Sequence, residues 1–120
     1  TACSSSMIAL HLSCQSLRAK ESRMSLVCGS QLYLEPMTSA ISLSALKFIS
    51  PDSRCHSFDA SGNGYAKGEG FGVLVLKRME DALADGDVIR AVVRATATNQ
   101  DGRTPGISHP SQAAQERLIR

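Results

Sequence analysis

Cys3-Ser4-Ser5-Ser6-Met7-Ile8-Ala9-Leu10-His11-Leu12-Ser13-Cys14-Gln15-Ser16-Leu17-Arg18-Ala19-Lys20 decides how the chain is read. Ile8, Leu10, Leu12 and Leu17, with Ala9 and Cys14, put apolar residues on more than one side, which predicts a buried helix over 3–20. Lys20-Glu21-Ser22 ends it in polar residues. Met24-Ser25-Leu26-Val27-Cys28-Gly29 then gives a short apolar run closed by glycine, the pattern of a buried strand in a parallel sheet.

Further along, residues 31–38 read as a loop holding Pro36, and 39–49 as a second helix carrying Ile41, Leu43, Leu46 and Ile49. Ser50-Pro51-Asp52-Ser53 signals a turn. Five of the nine glycines fall in 59–72, which predicts a tight, irregular loop. Phe71–Met79 reads as a strand and Asp81–Asp87 as a short helical turn ending at Gly86. Val88–Thr98 reads as another strand, Asn99–Pro110 as a polar loop, and Ser111–Arg120 as a helix with Pro110 near its first turn. The order helix, strand, helix, strand, strand, helix predicts an α/β layered domain. Both ends fall inside helical patterns, so the 120 residues are expected to be a section cut from a longer chain.

Composition narrows the function. With 42% hydrophobic and 20% charged residues the chain is of globular type. Thirteen basic against eleven acidic residues give a net charge of +2. The basic residues are scattered, so no nucleic-acid partner is expected. No apolar run reaches the 18 or so residues of a membrane span, and Thr1–Ser6 has no basic region of a signal peptide. The cysteines at 3, 14, 28 and 55 show no zinc-ligand spacing. Three of them sit in patterns of small buried hydrophobes. All four are expected as reduced thiols in a cytoplasmic compartment.

Cys3 is the candidate nucleophile. At a helix start, free backbone N–H groups and the helix dipole favour negative charge, and a thiolate is the nucleophilic form of cysteine. Ser4-Ser5-Ser6 supplies small side chains that let a substrate carbonyl approach backbone amides, which then stabilise an oxyanion. Those residues alone equally fit a helix-start cysteine with no chemistry.

Thr1-Ala2-Cys3-Ser4-Ser5-Ser6 resembles the active-site signature of β-ketoacyl synthase domains in type I polyketide synthases. The likeness continues through Ala9-Leu10-His11-Leu12, Cys14-Gln15-Ser16-Leu17, Arg54-Cys55, Phe58-Asp59-Ala60, Gly64-Tyr65-Ala66 and Gly68-Glu69-Gly70. It runs on through Val75-Leu76-Lys77-Arg78, Ala82–Asp87, Asn99-Gln100-Asp101-Gly102 and Pro110-Ser111. In its details it looks most like the reducing, iterative synthases of fungi. The resemblance implies a thiolase-like α/β/α fold, present here in part, and a decarboxylative Claisen condensation. Cys3 would carry the acyl group as a thioester, its own N–H forming half of an oxyanion hole. Tyr65 would line the acyl pocket, and Glu69 would be a buried, hydrogen-bonded carboxylate ordering the site, although Glu69 also reads as a solvated loop charge. No cofactor is expected on this segment. The implied partners are an acyl carrier protein with its phosphopantetheine-bound acyl and malonyl thioesters, the other domains of the synthase, and a second copy in a homodimer. The family's two histidines and lysine, one histidine in a His-Gly-Thr-Gly-Thr motif, come later than these 120 residues. The chain is thus expected to be an internal piece, 1–120, of one ketosynthase domain. It starts at the active-site cysteine, ends before the histidine motifs, is inactive by itself and is not stable alone.

Other residues invite a chemical reading and fail it. His11 is eight residues from Cys3, about 12 Å along a helix, against a hydrogen-bond reach of ~3 Å. It reads as a satisfied helix residue, and His56 and His109 read as structural or solvated. Asp59–Gly64 resembles the start of a calcium loop, but the twelfth position is Gly70 where glutamate is required. The glycines there lack the continuation of a dinucleotide or P-loop motif. Asp101-Gly102 reads either as part of a loop at the site entrance or as a plain turn. A fatty-acid synthase ketosynthase is the nearest alternative function. A cysteine acyl hydrolase would need glycine two residues after the nucleophile, where Ser5 stands. A non-catalytic ketosynthase-like partner would lack Cys3.

Overall fold

The computed structural model describes residues 1–106 and 108–120; of Pro36, Thr38, Ser39 and Ala40 it describes the backbone alone. Its elements are α1 (Ser5–Arg18), β1 (Met24–Gln31), α2 (Pro36–Ala45), β2 (Gly70–Lys77), α3 (Met79–Ala84) and α4 (Gln112–Ile119). They divide into two compact units, residues 1–29 with 72–120, and residues 30–71. None of the described helices is long and apolar enough to cross a membrane.

In the first unit, β1 pairs with β2 in a two-stranded sheet. Burial alternates along β1: Ser25, Val27 and Gly29 turn inward while Met24, Leu26 and Cys28 are exposed. The inward face meets α1, where the Ser25 hydroxyl donates to Ser13 Oγ at 2.9 Å. A Cβ on Gly29 would lie 3.4 Å from Ser6 Cβ, so helix and strand pack closely there. Cys14 and Leu17 of α1, Val27, Ala82 and Ala114 form the small core. The strand is therefore covered on one face only, where the sequence predicted burial on both. Likewise Cys14 alone of the four cysteines is buried, and Cys28 and Cys55 are exposed.

Three helices end in the same way. At the end of α1, Lys20 N–H bonds Leu17 O and Glu21 N–H bonds Ser16 O. The pattern repeats at α2 with Lys47 and Phe48 and at α3 with Gly86 and Asp87. This is the Schellman arrangement, which needs a left-handed residue just past the helix. Gly86 (φ +72°) adopts it readily, whereas Lys20 (φ +61°) and Lys47 (φ +57°) carry a side chain there. α2 starts earlier than the sequence predicted because Pro36, read as a loop residue, is the first helical position, where its fixed φ suits and its missing N–H is not needed. It stops before residue 49 because the left-handed Lys47 closes it.

Val88–Thr98 is not a strand. An extended stretch joins a sheet only when its N–H and C=O groups meet a ladder partner, and among the described residues none lies alongside. Side chains tether this stretch and its exit instead: Thr96 Oγ1 shares a 2.9 Å hydrogen bond with His11 Nδ1, and Asn99 Nδ2 donates to Ala114 O at 2.7 Å. α4 has a true N-cap, with Ser111 Oγ accepting from Ala114 N–H at 3.2 Å, and Ser111 N–H bonds Asp101 Oδ2 at 3.2 Å.

Arg78 joins most of this unit. Its Nη1 donates to Leu17 O at 3.1 Å and to Ser22 O at 2.9 Å, and its Nη2 pairs with Asp81. The contact with Asp81 is an ion pair without good alignment: neither Asp81 Oδ2 nor Arg78 Nε makes a well-directed hydrogen bond, and Glu80 approaches Nε at 3.5 Å. Beside it, Lys77 is held between Asp85 and Asp87, which raise its pKa in that order. Arg78→Ala is expected to remove roughly 2–3 kcal/mol of stability by stranding the Ser22 carbonyl and a half-buried carboxylate and removing one of two donors to Leu17 O. Arg78→Lys should recover less than half of that, because an ammonium lacks the fork. Urea unfolding of the longer parent domain followed by circular dichroism checks both, and an unchanged midpoint for Arg78→Ala would refute the assignment.

Candidate functional site

Cys3 stands in a tight turn immediately before α1. Ser5 N–H bonds Ala2 O at 3.1 Å, and the Ser5 hydroxyl donates to Ala2 O at 2.6 Å and Thr1 O at 2.8 Å. Ser4 is the N-cap residue, and its carbonyl accepts from the N–H groups of Met7 and Ile8, each at 3.0 Å. Its side chain makes no capping bond. The helix thus begins two residues later than the sequence predicted, and Cys3 lies on the turn leading into it. The thiol is exposed and unpaired, and among the described residues the Cys3 N–H has no hydrogen-bond partner. An open apolar groove of about 390 Å³ adjoins the first turn, lined by Ser6, Met7 and Leu10 of α1 and by Val27, Gly29, Gly72, Val73 and Leu74 of the sheet.

Tyr65 and Glu69 belong to the second unit. Tyr65 is 41% exposed, and its backbone forms a parallel bridge with Ile49: Tyr65 N–H bonds Phe48 O at 2.9 Å and Ser50 N–H bonds Tyr65 O at 3.0 Å. Gly64 makes this approach possible. Its φ is +134°, and a Cβ there would fall 2.5 Å from Ser50 N and 2.7 Å from Ile49 C. Glu69 is exposed, as in its reading as a solvated loop charge and unlike its reading as a buried carboxylate. It is nonetheless engaged, its Oε1 accepting the Tyr33 N–H. The Lys67 ammonium sits 3.9 Å from the centre of the Tyr33 ring.

The second unit also holds a polar network that the sequence did not reveal. The buried Ser50 donates its hydroxyl to Asp52 Oδ1, His56 Nε2 lies 2.9 Å from Asp52 Oδ2, and Asn63 Nδ2 reaches Oδ1 at 3.4 Å. The Ser50 hydroxyl first, and His56 second, hold the Asp52 pKa down to about 2. A cavity of about 530 Å³ opens beside it, lined by Ser44, Lys47, Ile49, Pro51 and Ser53 among others. Asp59, the start of the rejected calcium pattern, accepts the Ser61 N–H at 2.8 Å, which lowers its pKa. No group of three or more potential metal ligands occurs among the described residues. His109 Nδ1 lies 3.3 Å from Ser108 Oγ. Asn99 and Asp101, in the segment read either as a loop at the site entrance or as a plain turn, clamp the start of α4.

Two outcomes test the second unit. Gly64→Ala should open the Ile49–Tyr65 bridge at a cost of roughly 2–3 kcal/mol, seen as fast amide exchange at Ser50 and Tyr65; retained protection would refute the close approach. Asp52 has a lowered folded-state pKa, so its contribution to stability is complete above its ordinary value of 3.8 and is lost as pH falls through about 2. Carboxyl NMR titration should show Ser50→Ala moving its midpoint upward towards 3.8.

Comparison with known proteins places this geometry. Residues 1–82 match the family described as beta-ketoacyl synthase, N-terminal domain. The chain is 59% identical over all 120 residues to the reducing polyketide synthase pksF of Alternaria solani. It is 56% identical over 119 residues to the highly reducing polyketide synthase 40 of Fusarium mangiferae. It spans 5% of the length of each. Among solved structures it is similar to the ketosynthase from module 6 of the bacillaene synthase of Bacillus subtilis 168, with a TM-score of 0.89 and 46% identity, covering 98% of this chain and 21% of that one. An oxazolomycin ketosynthase domain of Streptomyces albus JA3453 gives a TM-score of 0.86 and 42% identity, covering 98% and 20%. The shared fold is the thiolase-like α/β fold, present here in part.

Proposed function

The chain belongs to the β-ketoacyl synthase family, and from that premise we propose that it is the nucleophile-bearing section of a polyketide synthase ketosynthase of the fungal reducing type. The observation that carries this is Cys3: a free thiol on the turn into α1, whose own N–H has no hydrogen-bond partner among the described residues.

The chemistry follows from that placement. The Cys3 thiolate attacks the carbonyl carbon of an acyl thioester on the phosphopantetheine arm of an acyl carrier protein. The phosphopantetheine thiol leaves, and the acyl group stays on Cys3. The Cys3 N–H faces the oxygen that becomes negative as the carbonyl is attacked. A malonyl thioester then loses carbon dioxide, and its α-carbon attacks the Cys3 thioester. The new carbon–carbon bond releases the Cys3 thiolate and leaves a β-ketoacyl chain two carbons longer on the carrier. Tyr65 is the acyl-pocket residue of this reading, and Glu69 supports its own unit by accepting the Tyr33 N–H.

Decarboxylation needs groups that these residues do not supply, since no His-Gly-Thr-Gly-Thr occurs in the sequence. The 120 residues are therefore an internal part of one domain, and other domains and a second copy complete the enzyme in the cytoplasm. Exposed apolar surface supports this. Leu26, Phe71, Val73 and Val75 of the sheet are all more than half exposed. The named relatives are polyketide synthases and ketosynthases, which disfavours the fatty-acid and hydrolase readings.

Incubation of the full-length synthase with an acyl thioester, followed by peptide mass spectrometry, should place the acyl group on Cys3. Cys3→Ser should lower loading on the order of 10³-fold or more. An adduct on another residue, with Cys3→Ser loading normally, would overturn the proposal.

A further inference from the structure

We infer that His11 is a positioning residue for Cys3, an inference that rests on the reading of Cys3 as the acyl-accepting nucleophile. His11 is half-buried on α1, and its Nδ1 shares a 2.9 Å hydrogen bond with Thr96 Oγ1, 85 residues away in sequence. It lies about 12 Å along the helix from Cys3, too far to exchange a proton with the thiol. Its effect must act through the helix itself.

α1 is tied to its surroundings by few polar contacts. Arg78 holds Leu17 O at the far end, and Ser25 holds Ser13 in the middle. Ahead of His11 the hydrogen bonds of Thr1, Ala2, Ser4 and Ser5 are local to the turn. Among the described residues, His11–Thr96 is thus the side-chain tether nearest to Cys3. Thr96 lies in a stretch that joins no sheet, and that stretch is fixed in turn at Asn99, which bonds Ala114 O at the start of α4. One polar relay, His11–Thr96 and then Asn99–Ala114, sets where the front half of α1 stands relative to α4. A neutral imidazole and a hydroxyl each offer one donor and one acceptor, so the pair is satisfied in either tautomer. Without it the front of α1 keeps only its packing on β1 at Ser6 and Gly29, and it shifts so that the sulfur and the oxyanion-binding N–H move together. Catalysis is sensitive to such shifts, since a misplacement of about 1 Å loses up to ~10²-fold.

The test measures acyl loading on Cys3 of the full-length synthase by rapid quench and mass spectrometry, with an acyl thioester as the probe. His11→Ala should slow maximal loading about tenfold while KM for the thioester stays within about twofold. His11→Asn, whose amide places a polar atom where Nδ1 stands, should restore the rate to within about threefold, while His11→Gln, which reaches the Nε2 position, should stay slow. Thr96→Val should match His11→Ala, and the double variant should lose no more than either. Wild-type loading by His11→Ala and Thr96→Val, equal rescue by Gln and Asn, or a loss confined to KM would each overturn the inference. If His11→Ala does not fold, the near-isosteric Thr96→Val and the Asn and Gln variants decide by the same criteria. An acyl adduct away from Cys3 in the wild type would overturn the reading of Cys3, whereas normal loading of Cys3 in the variants overturns only the role of His11.

Discussion

The guanidinium of Arg78 is the contact on which the first unit depends. It stands at the end of β2, and from there it binds the last turn of α1 at Leu17 O, the connection to β1 at Ser22 O and the first turn of α3 at Asp81. Four elements meet at one rigid, five-donor group. Helix α1 buries Cys14 and Leu17 and half-buries Ile8, Ala9 and Leu10, and apolar packing of that kind resists sliding along the axis less than directed polar contacts do. Hydrogen bonds do that work: Arg78 stops the helix at its far end, and Ser13 and His11 set its orientation. Whatever chemistry Cys3 performs is referenced, through a helix of 14 residues, to that anchored end.

Much of this was legible in the sequence, and the failures share a cause. The helical pattern of 3–20 and the apolar runs at Met24–Gly29 and Phe71–Met79 report local periodicity, and each became the element expected, within a few residues. Gly86 was legible as a helix stop because left-handed backbone suits glycine. Lys20 and Lys47 were not legible as stops, since a lysine at positive φ has no local signature; the hydrogen bonds around it hold it there. Val88–Thr98 carries a strand's composition, but a strand is a relation between two segments, and no second one lies beside it among the described residues. Burial was overestimated for the same reason. An apolar run at Met24–Gly29 states that a face wants covering, not that both faces are covered within 120 residues.

The site divides in the same way. Cys3 stood out as a candidate at a predicted helix start followed by small residues, and the resemblance chose that reading over a helix-start cysteine with no chemistry. Tyr65 and Glu69 came only from the resemblance, and the structure gives both a backbone role: Tyr65 through its bridge to Ile49, and Glu69 through the Tyr33 N–H. The Ser50–Asp52–His56–Asn63 network was invisible because its members look like ordinary turn residues one at a time. It forms only once Gly64 lets the two halves of that loop touch. His11 was dismissed as a base on a sound distance argument, yet distance from the thiol says nothing about what fixes the helix that carries it. The partner, Thr96, is too remote in sequence for any motif to suggest it.

The two serine-led helices show what the start of α1 gives up. At α4, Ser111 accepts from Ala114 N–H and so satisfies a donor of the first turn, a cap worth about 1 kcal/mol. At α1, Ser4 occupies the corresponding position, yet its hydroxyl caps nothing. Ser5 turns its hydroxyl backwards onto the carbonyls of Thr1 and Ala2 instead, bracing the turn that carries Cys3. That arrangement uses up acceptors and leaves donors open, the N–H of Cys3 among them. A helix that must receive negative charge at its start has to keep them free, and a turn stiffened from its carbonyl side keeps them aimed in one direction. Ser4 thus leaves unmade, one residue from the thiol, the cap that Ser111 makes at α4.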